Sequence, residues 1–125
     1  MKELHLQRLT KLANHMARQR KRLLMHSFFQ PCGTPACVLG HATNIKEFYE
    51  AGLRPEVAID GGPADVRYRG RDGEGAGKAF FGLSWDDAFG FFGWDGAAYG
   101  TDTPTPKKVA KTIREFVKEK RELHK

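Results

Sequence analysis

The chain is a small basic polypeptide, and its composition excludes several classes of protein. It has 125 residues, of which 40% are hydrophobic and 29% are charged, and a formal net charge of +6. Its apolar runs are far shorter than the roughly 20 residues of a membrane-spanning helix, so we expect no membrane partner. Its start has no apolar leader, and its two cysteines are therefore expected to be reduced thiols in a cytoplasmic protein.

The charge is distributed unevenly along the chain. Residues 1–25 carry seven Lys or Arg against one acid, and residues 104–125 carry eight against three. The middle, residues 26–103, has eleven acids against six basic residues. Basic ends are typical of a surface that binds a polyanion, or of solvated helices beside an acidic centre. Nucleic-acid binding through the basic terminal helices is therefore one function that the sequence leaves open.

Hydrophobic spacing predicts a mainly helical single domain over residues 1–125, with about four helices around one core. The first helix is predicted over about residues 3–24, from an apolar stripe at three- and four-residue spacing. The second is predicted to begin with Thr34 as its cap and Pro35 at its first position, and to end near Gly52.

An irregular insertion is predicted at about residues 54–79, between the second and third helices. Residues 57–59 and 66–69 are predicted to pair as a β-hairpin about the turn at residues 61–63. A glycine-rich loop is predicted to follow, with glycine at positions 70, 73, 75 and 77. The spacing of these glycines is not that of a phosphate-binding P-loop, so we predict no such loop here.

Two further helices have local start signals. The third is predicted to begin after the cap Ser84 and to end at Gly93. The fourth is predicted to begin with Thr105 as cap and Pro106 at its first position, and to run to about residue 123.

Aromatic residues are concentrated in and after the third helix. Trp85, Phe89 and Phe92 recur at helical spacing and are expected in the core, although an aromatic cluster of this kind could also stack bases. Phe91, Trp94 and Tyr99 fall off that stripe. We therefore expect these three to lie exposed on a binding surface.

Residues 32–42 read Cys-Gly-Thr-Pro-Ala-Cys-Val-Leu-Gly-His-Ala. Together with the apolar stripe at 9–17, Phe-Gly-Leu-Ser at 81–84 and Thr-Pro at 105–106, this segment resembles a group of short uncharacterised bacterial and bacteriophage proteins with the motif Cys-Gly-Thr-x-x-Cys-x-x-Gly-[His/Trp]-Ala. The resemblance implies a bacterial or phage origin and no known activity. Because members of the group have Trp where this chain has His41, it argues against an obligatory metal or catalytic imidazole. Residues 54–79 look like an insertion relative to shorter members.

Cys32, Cys37 and His41 allow several interpretations. One is a thiol-dependent enzyme or redox protein, with a cysteine nucleophile near a helix amino end and His41 as base, or with a disulfide between the cysteines. Another is a zinc site, with His26 completing a set of four ligands. The interpretation that we favour is packed interior, since free cysteine is among the most buried residue types. We accordingly predict no cofactor, no metal and no catalytic residue.

Arg67, Arg69 and Arg71 alternate along the predicted hairpin. On an extended strand they would share one face, and three guanidinium groups in a row suit phosphates or carboxylates. A solvated edge strand is the alternative. With Trp94 and Tyr99, these arginines are our predicted binding residues. The function predicted is that of a small non-enzymatic binding protein that docks on an unidentified protein or captures an anionic ligand, as a phage protein that blocks a host defence would.

Overall fold

The computed structural model describes residues 1–29, 35–57 and 63–123, and the described chain is mainly helical. It forms six α-helices and one three-stranded antiparallel sheet. The helices are α1 (Glu3–Ala17), α2 (Val38–Ala42), α3 (Lys46–Glu50), α4 (Gly73–Phe81), α5 (Trp85–Phe92) and α6 (Pro106–Leu123), and a short 3-10 helix covers Ala97–Tyr99. The strands are β1 (Arg54–Val57), β2 (Pro63–Tyr68) and β3 (Arg71–Asp72). The predicted helical class is confirmed, whereas the predicted four-helix arrangement with a glycine loop is not.

Helices α1 and α6 lie antiparallel against each other. Arg121 near the end of α6 pairs with Glu3 at the start of α1 at 2.7 Å, and Arg114 donates to Asn14 at 2.9 Å. Between these polar contacts the two helices bury apolar stripes that include Leu9 in α1. Burial of such stripes is the main source of stability for helices of this length.

The first helix is shorter than predicted, because it ends at Ala17 rather than near residue 24. The basic residues that follow offer no apolar side chain to continue the stripe. Leu23 is buried, but its backbone N–H donates to the Pro104 carbonyl at 3.0 Å, and that of Met25 donates to the Asp102 carbonyl at 2.9 Å. Hydrogen bonds to a distant segment therefore replace the helical ones.

The predicted second helix is two short helices with a different start. Pro35 forms an isolated β-bridge with Phe29, and α2 begins only at Val38. Its cap is Cys37, whose Sγ accepts from the Gly40 N–H at 3.4 Å. The predicted cap Thr34 lies outside the described residues. Residues 43–45 separate α2 from α3, and the backbone of Ile45 is extended.

The small sheet has the order β1-β2-β3. Arg69 and Gly70 connect β2 to β3, both with positive φ, as in the two-residue turns that match the twist of a hairpin. The predicted strand at 57–59 begins earlier, at Arg54, and its second half lies outside the described residues together with Gly61 and Gly62 of the predicted turn.

The predicted glycine-rich loop is wrong, since Gly73–Phe81 form α4. A Cβ at Gly77 would lie 2.6 Å from the Phe92 ring, so the missing side chain lets α4 pack close to α5. Ala76 and Phe80 from this helix are buried in the core. Packing against α5 thus overrides the low helix propensity of glycine, and the segment predicted to be irregular contains regular structure.

Candidate functional site

Arg67, Arg69 and Arg71 do not share one face. In the β2–β3 pairing Tyr68 lies opposite Arg71, and Arg67 lies opposite Asp72. Paired residues of antiparallel strands point to the same side of a sheet, so Arg71 lies on the Tyr68 side and Arg67 on the other. The prediction of one three-arginine face is wrong because the chain turns at Arg69 instead of continuing as one strand.

Arg69 and Arg71 instead join basic residues from the start of the chain. They line a groove of about 370 Å³ together with Lys2, His5 and Arg8, and we call this cavity the basic groove. Leu4, Tyr68 and Ala79 supply its apolar walls. None of the described residues that line it is acidic.

Two of the arginines of the basic groove are held in place by aromatic rings. The Arg8 guanidinium lies 3.9 Å from the centroid of the Phe80 ring and donates to the Phe80 carbonyl at 2.8 Å. The Arg69 guanidinium lies 5.1 Å from the centroid of the Tyr68 ring. Cation–π contacts of this kind orient a guanidinium group without neutralising its charge.

The histidine within the basic groove, His5, has a lowered pKa. Burial lowers the pKa of His5, and the positive charges of Arg8 and Lys2 lower it further. Among the described residues, Lys2, Arg8, Arg69 and Arg71 form no ion pair with an acidic side chain, whereas Arg67 pairs with Glu56 at 3.3 Å. An anion that enters the groove would therefore meet uncompensated positive charge.

Searches against protein-family models, curated proteins and solved structures found no match for this chain. The resemblance carried by residues 32–42 therefore stays a prediction.

The α1 part of the basic groove was missed in the sequence. Positions 2, 5 and 8 are three residues apart, and this spacing places them on one side of a helix. This basic stripe at positions 2, 5 and 8 could have been recognised next to the apolar stripe of the same helix. No local sequence pattern, however, indicates that residues 69 and 71 lie beside the basic stripe.

The opposite face of the sheet carries an acidic cluster. The carboxylates of Glu56, Asp65 and Asp72 lie within 4.8 Å of one another. Arg67 already pairs with Glu56, and Asp65 accepts from the backbone N–H of Gly73 at 3.1 Å. These contacts account for the cluster, and we assign it no ligand.

The cysteine segment does not form an open site among the described residues. Cys37 is fully buried, and burial raises the pKa of its thiol to about 11, so the thiol is protonated at neutral pH. His41 lies beside His15, with ring centroids 5.9 Å apart. His26 instead pairs with Asp102.

The described part of the proposed zinc set does not come together. The ligand atoms of His26, Cys37 and His41 do not all lie within 4.8 Å of one another, and Cys32 lies outside the described residues. The structure therefore does not support a metal site or an activated thiol formed by Cys37 and the two histidines.

The aromatic residues are distributed differently from our expectation. Trp85 and Phe89, predicted in the core, are each 51% exposed, and their rings stack with centroids 5.4 Å apart. Phe91 and Tyr99, predicted to be exposed, are both buried, and the Tyr99 hydroxyl donates to the Phe91 carbonyl at 3.0 Å. Tyr99 is therefore not available to a ligand. Trp94 is exposed as expected, at 69%.

The exposed rings border two further cavities. Trp85 and Phe89 line one of about 630 Å³, together with residues of β3 and α4. Phe89 and Trp94 line another of about 400 Å³ with His26, Gly93 and Asp95. No helix in the described parts of the chain has both the length and the apolar character needed to cross a membrane.

Proposed function

We propose that this protein is a non-enzymatic binding protein that holds a phosphate-bearing anion in the basic groove. The observation that carries the proposal is the convergence of five basic side chains from two distant segments on one cavity with no acidic side chain among its described lining. A surface that is merely solvated does not need this arrangement, because solvated cations are usually interspersed with acids.

The donors that line the basic groove are suited to a phosphate group. Guanidinium groups present planar arrays of N–H donors that match pairs of phosphate oxygens, and the groove has three of them. Lys2 and His5, from the same end of the chain as Arg8, add further donors. Because the Phe80 carbonyl and ring already orient Arg8, binding requires little further ordering of that side chain.

Titration calorimetry with inorganic tripolyphosphate tests the proposal. The double variant Arg69→Ala/Arg71→Ala should bind at least about 10-fold more weakly than the original protein, since hydrogen bonds to charged groups each contribute about 1.5–3 kcal/mol. Both side chains are exposed, so the melting temperature should change little.

The sheet itself offers a control with the same loss of charge. Arg54 and Arg67 are cross-strand partners on the face that carries Arg67, away from the Tyr68 side. Arg54→Ala/Arg67→Ala also removes two positive charges, but from outside the basic groove, and should alter affinity by no more than about 2-fold. Equal losses in the two double variants, or no binding by the original protein, would contradict the proposal.

A further inference from the structure

The exposed stack of Trp85 and Phe89 is the feature that the anion site leaves unexplained. The two residues lie four apart on α5, and their rings stack with an interplanar angle of 26°. The opposite side of the same helix buries Ala88, Phe91 and Phe92, so α5 is anchored without the stack. Each ring is half exposed, so the outer side of the stack presents apolar surface to solvent.

This stack is continuous with the basic groove through Arg71. Arg71 lines both the basic groove and the cavity of about 630 Å³ beside Trp85, Phe89 and Lys78. A Cβ built on Gly75 would lie 3.4 Å from the Trp85 ring and 4.0 Å from the Cβ of Arg71. The ring and the arginine are thus neighbours across a glycine, and one ligand can contact both.

We infer that the anion bound in the basic groove is part of a single-stranded nucleic acid, whose phosphates lie among the arginines and one of whose bases stacks on Trp85. The inference rests on the proposed function and adds the ligand class. Proteins that bind single strands combine a positive groove along the backbone with aromatic side chains that stack the bases. Here the two elements share Arg71, so a phosphate and the adjacent base could be bound together.

A cationic peptide is the other class of ligand that an aromatic surface can bind. Asp72 and Glu74 also line the cavity beside Trp85, so its net charge does not distinguish the two ligands. The position of Lys78 distinguishes the two ligands, because its ammonium already lies 5.4 Å from the centroid of the Trp85 ring. An incoming cation would meet a like charge at this ring, whereas a nucleotide would meet Lys78 and Arg71 as partners for its phosphate.

Tryptophan fluorescence gives a direct readout of base stacking. The chain has two tryptophans, so in the Trp94→Phe variant the signal comes from Trp85 alone. We expect a short oligothymidylate to quench this fluorescence, because a base covers the ring. Tripolyphosphate, which has no base, should bind with little quenching.

Affinity measurements separate the stack from the anion site. Trp85→Ala should weaken oligothymidylate binding about 10-fold and leave tripolyphosphate binding within about 2-fold, as expected for loss of one base–aromatic stack. Trp94→Ala, which removes the other exposed tryptophan, should leave both affinities unchanged. If Trp85→Ala melts at a lower temperature than the original protein, the affinities are measured again with Trp85→Leu, which keeps an apolar side chain over Gly75.

The remaining outcomes distinguish a failure of the nucleic-acid inference from a failure of the proposed anion site. An unchanged affinity of Trp85→Ala for oligothymidylate overturns the inference, as does quenching by an arginine- and lysine-rich peptide but not by the oligonucleotide. In either case tripolyphosphate binding that depends on Arg69 and Arg71 leaves the proposed anion site standing. Absence of tripolyphosphate binding to the original protein overturns the anion site itself and, with it, the inference that rests on that site.

Discussion

Cys37 is a buried thiol at the amino end of α2, and its surroundings keep it protonated. Burial raises its pKa to about 11, while the hydrogen bond from the Gly40 N–H opposes that rise without cancelling it. A helix amino end lowers the pKa of an exposed thiol, but here the loss of hydration is the larger effect. The same residue therefore caps a helix and fills the core instead of reacting.

The protonated state of Cys37 predicts slow alkylation. In a Cys32→Ser variant, Cys37 is the single thiol of the chain. Near neutral pH its thiolate fraction should be about 100-fold below that of a cysteine with the ordinary pKa of 9.0, and burial should slow the reaction further. Mass spectrometry after iodoacetamide treatment measures the rate. Labelling of the native variant as fast as in guanidinium chloride would show that the thiol is accessible.

At the scale of single elements, α4 shows how one residue type has different roles at neighbouring positions. Gly75 and Gly77 both lie inside this helix, where glycine is unfavourable by about 1 kcal/mol relative to alanine. At Gly77 a Cβ would overlap the Phe92 ring, with 2.6 Å between them. At Gly75 the closest atom is 3.4 Å away, an ordinary contact. Packing therefore requires glycine at position 77 and tolerates alanine at position 75.

This difference predicts opposite effects on stability for two matched substitutions. Gly77→Ala should lower the free energy of unfolding by about 1–3 kcal/mol, because overpacking outweighs the gain in helix propensity. Gly75→Ala should raise it by about 0.5–1 kcal/mol, since the propensity gain meets no clash. Urea denaturation measures both. Stabilisation by Gly77→Ala would mean that α4 and α5 are not packed as closely as the structure shows.

At the scale of the whole molecule, the contact between His15 of α1 and His41 of α2 links folding to pH. Burial and, to a smaller extent, the positive charge that His15 would carry together lower the pKa of His41 from 6.5 to about 4. Burial also lowers the pKa of His15. The fold therefore requires neutral imidazoles, whereas the unfolded chain takes up protons near pH 6.5. Between those values the unfolded state binds more protons, so acid favours unfolding.

The resulting prediction concerns global stability in mild acid. As the pH falls from about 6.5 towards 4, the free energy of unfolding should decrease by on the order of 2 kcal/mol through His41, after allowance for its partial exposure. The full stability is present above pH 6.5. Chemical denaturation across this range measures the slope, and His41→Gln should make it shallower. An equal slope in His41→Gln would assign the acid sensitivity to other groups.

Local chemistry made much of the fold predictable. The Ser84 hydroxyl accepts from the Asp87 N–H at 3.1 Å, and the Thr105 hydroxyl accepts from the Lys108 N–H at 3.2 Å, so the predicted starts of α5 and α6 are confirmed. These signals depend on residues within one helical turn and do not depend on the rest of the molecule. The predicted start of the second helix is wrong because Pro35 pairs with Phe29 instead.

The side of α5 that faces the core was not predictable in this way. An eight-residue helix with aromatics at four positions can bury either of two stripes, and the spacing of its apolar residues fits both. The close approach of α4 at Gly77 brings Phe92 and its neighbour Phe91 inward and leaves Trp85 and Phe89 outside. The exposed pair thus follows from the packing of α4, a helix in a segment for which the sequence predicts a loop.

The sequence by itself determined a helical chain with basic ends, two capped helices and three alternating arginines at positions 67, 69 and 71. Only the tertiary structure decided that Arg69 and Arg71 meet Lys2, His5 and Arg8, because more than 60 residues separate the two groups and no local pattern records their distance. The pairing of β2 with β3 also places Arg67 on the face of the sheet opposite Arg71. The physical reason is that caps and helical spacing act over a few residues, whereas a binding groove is formed by contacts between segments that only folding brings together.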